Sequence, residues 1–158
     1  MSFNHLRLLF FLAVARATLA GQGSTYATSN LPRWAGAALQ SQHFGERYEL
    51  YLGVNPFYQR GDFDGDGEPD LAILVREKTT RKVGIAILHR RTGDLHIVGA
   101  GIPLGNGGDD FAWLGVWRVE PAPNSALRRE ALYVEKPESA GGLIYWNGSR
   151  YVWVQMGD

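Results

Sequence analysis

From Tyr48 onward the chain is written largely in period two. Tyr48, Leu50 and Leu52 alternate with Glu49 and Tyr51, which predicts a strand running into an acidic loop. Leu71 to Arg76 is an apolar run, Glu77 to Lys82 is polar, and Val83 to Arg90 is apolar again. Val83, Ile85 and Ile87 share one face of that segment and Ala86 and Leu88 the other, so the two runs predict a hairpin. Thr92-Gly93 marks a turn into Leu95 to Ala100. A further strand is predicted over Phe111 to Val119, with Trp113 and Trp117 on one face, before Pro121 and Pro123 interrupt the ladder. Ala131 to Glu135 is a short strand. Leu143 to Val154 is a hairpin about Asn147-Gly148, a pair that suits a turn needing positive φ at both positions.

Before Tyr48 the pattern differs. Asn30 as cap, Pro32 in the first turn, Trp34, Ala38 and Leu39 at helical spacing and Gly45 as a stop predict a helix over Leu31 to His43. Arg7 precedes eight consecutive apolar residues, Leu8 to Ala15, followed by the small residues Ala17 and Ala20. This is the grammar of a signal peptide, and a membrane-spanning helix needs roughly 20 apolar residues. The expected organisation is a signal over 1–20, a flexible Gly/Ser/Thr-rich leader over 21–30, and one β domain over 31–158. Cleavage after Ala17 or after Ala20 fits the small-residue rule. The expected location is periplasmic or secreted, with no membrane insertion of the mature chain.

Composition sharpens the fold class. Strands at short intervals, twenty Gly, and seven Tyr, seven Phe and five Trp predict a mainly all-β fold. The expected form is an antiparallel meander, as a sandwich or a propeller-like sheet array, with a short N-terminal helix. The formal charge is zero, with no Lys/Arg stripe to follow phosphates, which argues against nucleic acid. Cysteine is absent, which removes disulfides, thiolate metal sites and thiol nucleophiles.

One segment carries distinctive chemistry. Gly61-Asp62-Phe63-Asp64-Gly65-Asp66-Gly67-Glu68-Pro69-Asp70 places carboxylates at relative positions one, three, five and nine. Calcium takes six to eight oxygens, and alternate residues of a coiled loop can aim theirs at one centre. Asp62, Asp64 and Asp66 are the expected side-chain ligands, Glu68 a main-chain ligand, and Asp70 the closing ligand, directly or through water. Gly67 stands at position six, where an EF-hand loop turns sharply; position twelve is Ile73, so an EF-hand's bidentate glutamate is missing. A solvated acidic turn is the plain alternative. Two carboxylates about 4 Å apart repel by roughly 4 kcal/mol at an effective dielectric near 20, which favours a cation among them.

The stretch GDFDGDGEPDLAILV, Gly61 to Val75, resembles the calcium-loop core of FG-GAP or VCBS repeats. The resemblance implies Ca2+ held by Asp62, Asp64, Asp66 and Asp70 with the Glu68 carbonyl. It occurs once. More of the chain is similar to small bacterial periplasmic proteins that pair such a loop with an antiparallel sheet, some of them lysozyme-inhibitor-like or immunity proteins against peptidoglycan hydrolases. That second resemblance implies a protein partner, met by Ser139, Ala140, Gly141 and Gly142 or by the loop Gly105 to Asp110.

Other residue types give less. Asp109 and Asp110 are adjacent, whereas glycoside hydrolysis needs two carboxyls about 5 to 9 Å apart across a substrate; a solvated loop is expected. His43, His89 and His96 share no ligand spacing, although His89 and His96 can meet across a hairpin. Ser139 lacks a nucleophile-elbow setting. The tryptophans are expected chiefly in the core, with a platform for sugars or partners as the alternative. The expected function is therefore an exported, non-enzymatic, calcium-binding interaction module. An inhibitor of a cell-wall hydrolase is the second reading, and a carbohydrate-active enzyme using Asp109 or Asp110 the third.

Overall fold

The computed structural model describes residues 30–123 and 129–157. The predicted signal peptide and nearly all of the leader lie outside these residues. The described chain is mainly β, with two antiparallel sheets and two short helices that form no closed barrel.

Helix α1 spans Arg33–Ser41 and α2 spans Phe44–Arg47. Pro32, not Asn30, is the N-cap of α1, and no side chain caps it. Gly45 does not end the helix either: α1 stops at Ser41 with Gln42 as its C-cap, His43 follows in a left-handed conformation at φ 53, and Gly45 lies inside α2. Leu31, Ala35 and Leu39, four residues apart, are buried against the first sheet.

The first sheet comprises β1 (Tyr48–Leu50), β2 (Tyr58–Gly61), β3 (Asp70–Glu77), β4 (Val83–Leu88) and β5 (Leu95–Gly99). Strands β1 and β2 lie on the same edge of β3, Tyr48 opposite Glu77 and Tyr58 opposite Ile73, and β3, β4 and β5 continue as a meander. The single strand expected from Tyr48 into the acidic loop is thus broken. Its middle leaves the edge around Pro56, which has no N–H to give the ladder, and Tyr51 and Val54 turn into the core.

Strand β3 reads as a continuous apolar run because both of its faces are covered. Leu71, Ile73 and Val75, with Ala86 and Leu88 of β4, face the helices. Ala72 and Leu74, with Val83, Ile85 and Ile87, face the second sheet. That sheet is a four-strand meander of β6 (Val116–Pro121), β7 (Glu130–Glu135), β8 (Gly141–Trp146) and β9 (Tyr151–Met156). Its inner residues Trp117, Leu132, Val134, Ile144 and Tyr151 close the shared core.

Two expectations here need correction. Phe111 to Gly115 is irregular, so Trp113 precedes β6 and shares no strand face with Trp117. The β8–β9 connection has four residues, and only Gly148 takes positive φ, at 103. Asn147 keeps ordinary φ because its side chain does the turning: Oδ1 accepts the amides of Ser149 and Arg150, both at 3.0 Å.

Candidate metal centre

Strand β2 ends at Gly61 and β3 begins at Asp70, directly opposite one another, so the acidic segment must reverse the chain at one rim of the sheet. It does so by folding its carboxylates onto its own backbone. Asp62 accepts the amides of Gly65 at 2.9 Å and Gly67 at 3.0 Å, Asp64 that of Asp66 at 3.0 Å, and Asp66 that of Glu68 at 2.7 Å. Gly65 and Gly67 supply the left-handed φ of 81 and 86 that this coil requires. Phe63, between two of the acids, is fully buried and anchors the loop in the inter-sheet core. Burying such a ring is worth about 1.5–3 kcal/mol.

The carboxylate oxygens of Asp62, Asp64 and Asp66 lie within 4.8 Å of one another. Ligands at 2.3 to 2.6 Å from one calcium ion stand at most about 5 Å apart, so this triplet fits a single hard cation. Asp70 belongs to an overlapping group instead: Asp64, Asp70 and His89 also lie within 4.8 Å of one another. Asp64 is common to both. The Glu68 side chain turns outward, half-exposed, and pairs with Arg90 at 3.5 Å.

Asp70 is completely buried. Its Oδ2 accepts the amides of Phe63 at 3.0 Å and Asp64 at 3.3 Å, and its Oδ1 accepts the Arg90 amide at 2.9 Å. Burial, reinforced by the Asp64 charge, pushes the Asp70 carboxyl up to about 6 against the pull of those amides. Cationic side chains offset part of the local charge. Arg91 Nε stands 2.8 Å from Asp66 Oδ2, an ion pair without the alignment of a hydrogen bond, while Arg91 also donates to the Asp66 carbonyl at 2.6 Å. The Arg129 side chain also packs against the loop, at Gly65.

Behind the loop sits a buried chain of polar groups. His89 Nδ1 is 3.5 Å from Asp64 Oδ2, and its Nε2 is 2.7 Å from the Tyr151 hydroxyl. The rings of His96, Trp146 and Tyr151 surround it, with centroids 4.6, 5.1 and 5.8 Å away. Burial lowers the pKa of both histidines and raises that of Tyr151, which keeps this chain neutral. The loop is tied to the second sheet as well: the Asp62 amide donates to Glu130 Oε2 at 2.6 Å and the Glu130 amide donates back to the Asp62 carbonyl at 2.9 Å.

Sequence reasoning brought together the acids but missed Phe63, His89, Arg91, Glu130 and Tyr151. For His89 a signal existed. Leu71 pairs with Leu88, so one residue outward on each strand sets Asp70 beside His89. The other members arrive through non-local packing, for which no local pattern exists.

The remaining candidates lie elsewhere. Asp109 pairs with Lys82, and Asp110 Oδ1 accepts the amides of Val83 at 2.9 Å and Ala112 at 3.0 Å. These two acids hold the chain in place, where a freely solvated loop was expected. Ser139 and Ala140 do lie in a turn, between β7 and β8, but Gly141 and Gly142 are buried within β8 and are not loop residues. The turn closes early because Glu138 adopts φ 58 and the Lys136 amide donates to the Ala140 carbonyl. No family model, curated protein or solved structure matches this chain.

Proposed function

We propose that Asp62 to Asp70 bind one calcium ion, and that the ion serves an exported, non-enzymatic β domain by fixing the surface at this rim for a protein partner. The observation that carries the reading is the convergence of three carboxylates from alternate residues within the span of one ion, with Asp70 buried behind them. The donors are all oxygen, and the likeness to FG-GAP and VCBS loops points to the same ion. Calcium supplies the positive charge that offsets mutual repulsion among these acids and the burial of Asp70.

The chain's own groups set what binding would accomplish. Asp62 is joined to Glu130 of the second sheet, Asp70 to the Arg90 amide beyond β4, and Phe63 to the core. Ordering the loop therefore orders the rim of both sheets. Location in the periplasm or outside the cell, as the amino-terminal pattern suggests, suits an affinity of the 0.1 to 1 mM order common to extracellular modules. Calorimetric titration of the processed chain with CaCl2 is expected to show one saturable site, with weaker heat for MgCl2 and loss of the site in Asp64→Asn. Absence of saturation at millimolar calcium would sink the proposal.

A further inference from the structure

At the far end of β7 from the metal centre, a separate cleft of about 230 Å3 opens beside the β7–β8 turn. Trp113 and Trp153 form its apolar walls, with centroids 6.2 Å apart and planes at 86°. Asn106, Lys136, Ser139 and Gln155 supply its polar rim. We propose that this cleft is a saccharide site, receiving one pyranose ring of a glycan that carries carboxylate groups.

Three features support that class of ligand. First, two indoles at a right angle make a corner in which the C–H face of a pyranose can lie on one ring while its edge meets the other. Aromatic surface with a few placed polar groups is the usual form of a small-molecule site. Second, the corner is preformed. Trp113 Nε1 donates to the Gly107 carbonyl at 3.2 Å, and Trp153 Nε1 donates to Gln155 Oε1 at 3.2 Å. Gln155 in turn donates to the Gly141 carbonyl at 3.2 Å. Trp153 is seated on glycines: a Cβ on Gly105 would stand 2.7 Å from it, one on Gly107 2.8 Å, and one on Gly142 would overlap the indole. Such a seat holds the ring in one orientation before any ligand arrives, which reduces the entropy lost on binding.

Third, the rim holds hydrogen-bonding capacity that the fold leaves unused. The Lys136 ammonium and the Ser139 hydroxyl make no side-chain hydrogen bond or ion pair among the described residues, and Lys136 is unpaired even with Glu138 in the same turn. Hydroxyl-rich ligands match the Ser139 hydroxyl and Asn106 Oδ1, Asn106 Nδ2 already donating to Gln155 Oε1 at 3.4 Å, and the unpaired ammonium is complementary to a carboxylate. Among the described residues, Lys136 is the one charged residue that lines the cleft, with Glu138 of the same turn outside the lining.

The test is calorimetric titration of the full processed chain with hexagalacturonate as the acidic probe and cellohexaose as the neutral one. The expected result is saturable binding of hexagalacturonate, weaker binding of cellohexaose, and at least a tenfold loss of hexagalacturonate affinity in Trp113→Ala and in Lys136→Glu. Lys136 is an exposed turn residue, so its variant reports on the cleft even if Trp113→Ala folds poorly, and thermal melts identify that case. No saturable heat with either probe overturns the proposal. Equal affinity for the two probes, or affinities that neither substitution moves, also overturns it.

Discussion

At one end of β7, Glu130 exchanges hydrogen bonds with Asp62 and steadies a loop of acids; at the other, Lys136 to Ala140 turn beside two indoles. The acidic rim is locally coded: its acids lie within nine residues, and its shape comes from side chains bonding to the nearest amides. The aromatic cleft takes residues from Asn106 to Gln155, and its shape comes from glycines that let strands and loops approach an indole. Charge and local hydrogen bonds shape the first. Packing shapes the second. Sites of the first kind depend on ions and pH, and sites of the second on volume.

The most damaging change to the acidic rim is Asp70→Ala, which leaves the buried amide of Phe63 and the part-buried amides of Asp64 and Arg90 without their acceptor. A loss of about 3–5 kcal/mol in urea unfolding is expected, with or without calcium. Its counterpart at the cleft is Gly142→Ala, whose methyl collides with Trp153; about 2–3 kcal/mol should be lost through overpacking, while calcium titration stays unchanged. If that substitution also abolished the calcium response, the two ends would not be independent.

Calcium itself comes next. At a hundredfold excess over its dissociation constant it should add about 2.7 kcal/mol, read as a chelator-sensitive melting temperature. Asp64→Asn should melt alike in calcium and in chelator. A smaller effect, on the order of 2 kcal/mol, is expected from pH in the chelated protein. Asp70 titrates at about 6 in the fold against 3.8 for the free side chain, so the folded state holds the extra proton between those values. Its contribution to stability is full below 3.8 and is lost as pH rises through 6. Denaturant midpoints measured from pH 4 to 7 in chelator should therefore show this component falling, and saturating calcium should reduce the fall, because the ion favours the ionised carboxylate.

Much of the first sheet was legible because its signals are local. The apolar runs at Leu71 to Arg76 and Val83 to Arg90 gave a hairpin, whose second strand stops at Leu88, and the faces assigned to that second run are the observed ones, since period two fixes which side chains share a side. The edge before it was harder. Tyr48, Leu50 and Leu52 do look like one strand, yet the chain leaves the sheet after Leu50 and returns at Tyr58. The glycine pair 141–142 misled for a related reason: glycine marks turns by its freedom of φ, but here it occupies a strand because a tryptophan needs the room.

The strands' alternation, the mainly β character and the acidic cluster can all be read along the chain, because they depend on neighbouring residues. Packing in three dimensions makes Phe63 the anchor of the acidic loop, sets His89 and Tyr151 behind Asp64, and brings Trp113, outside any strand, against Trp153. Each of these contacts joins segments distant in sequence, and each is selected by which surfaces the two sheets bury together, a property that no window of consecutive residues contains.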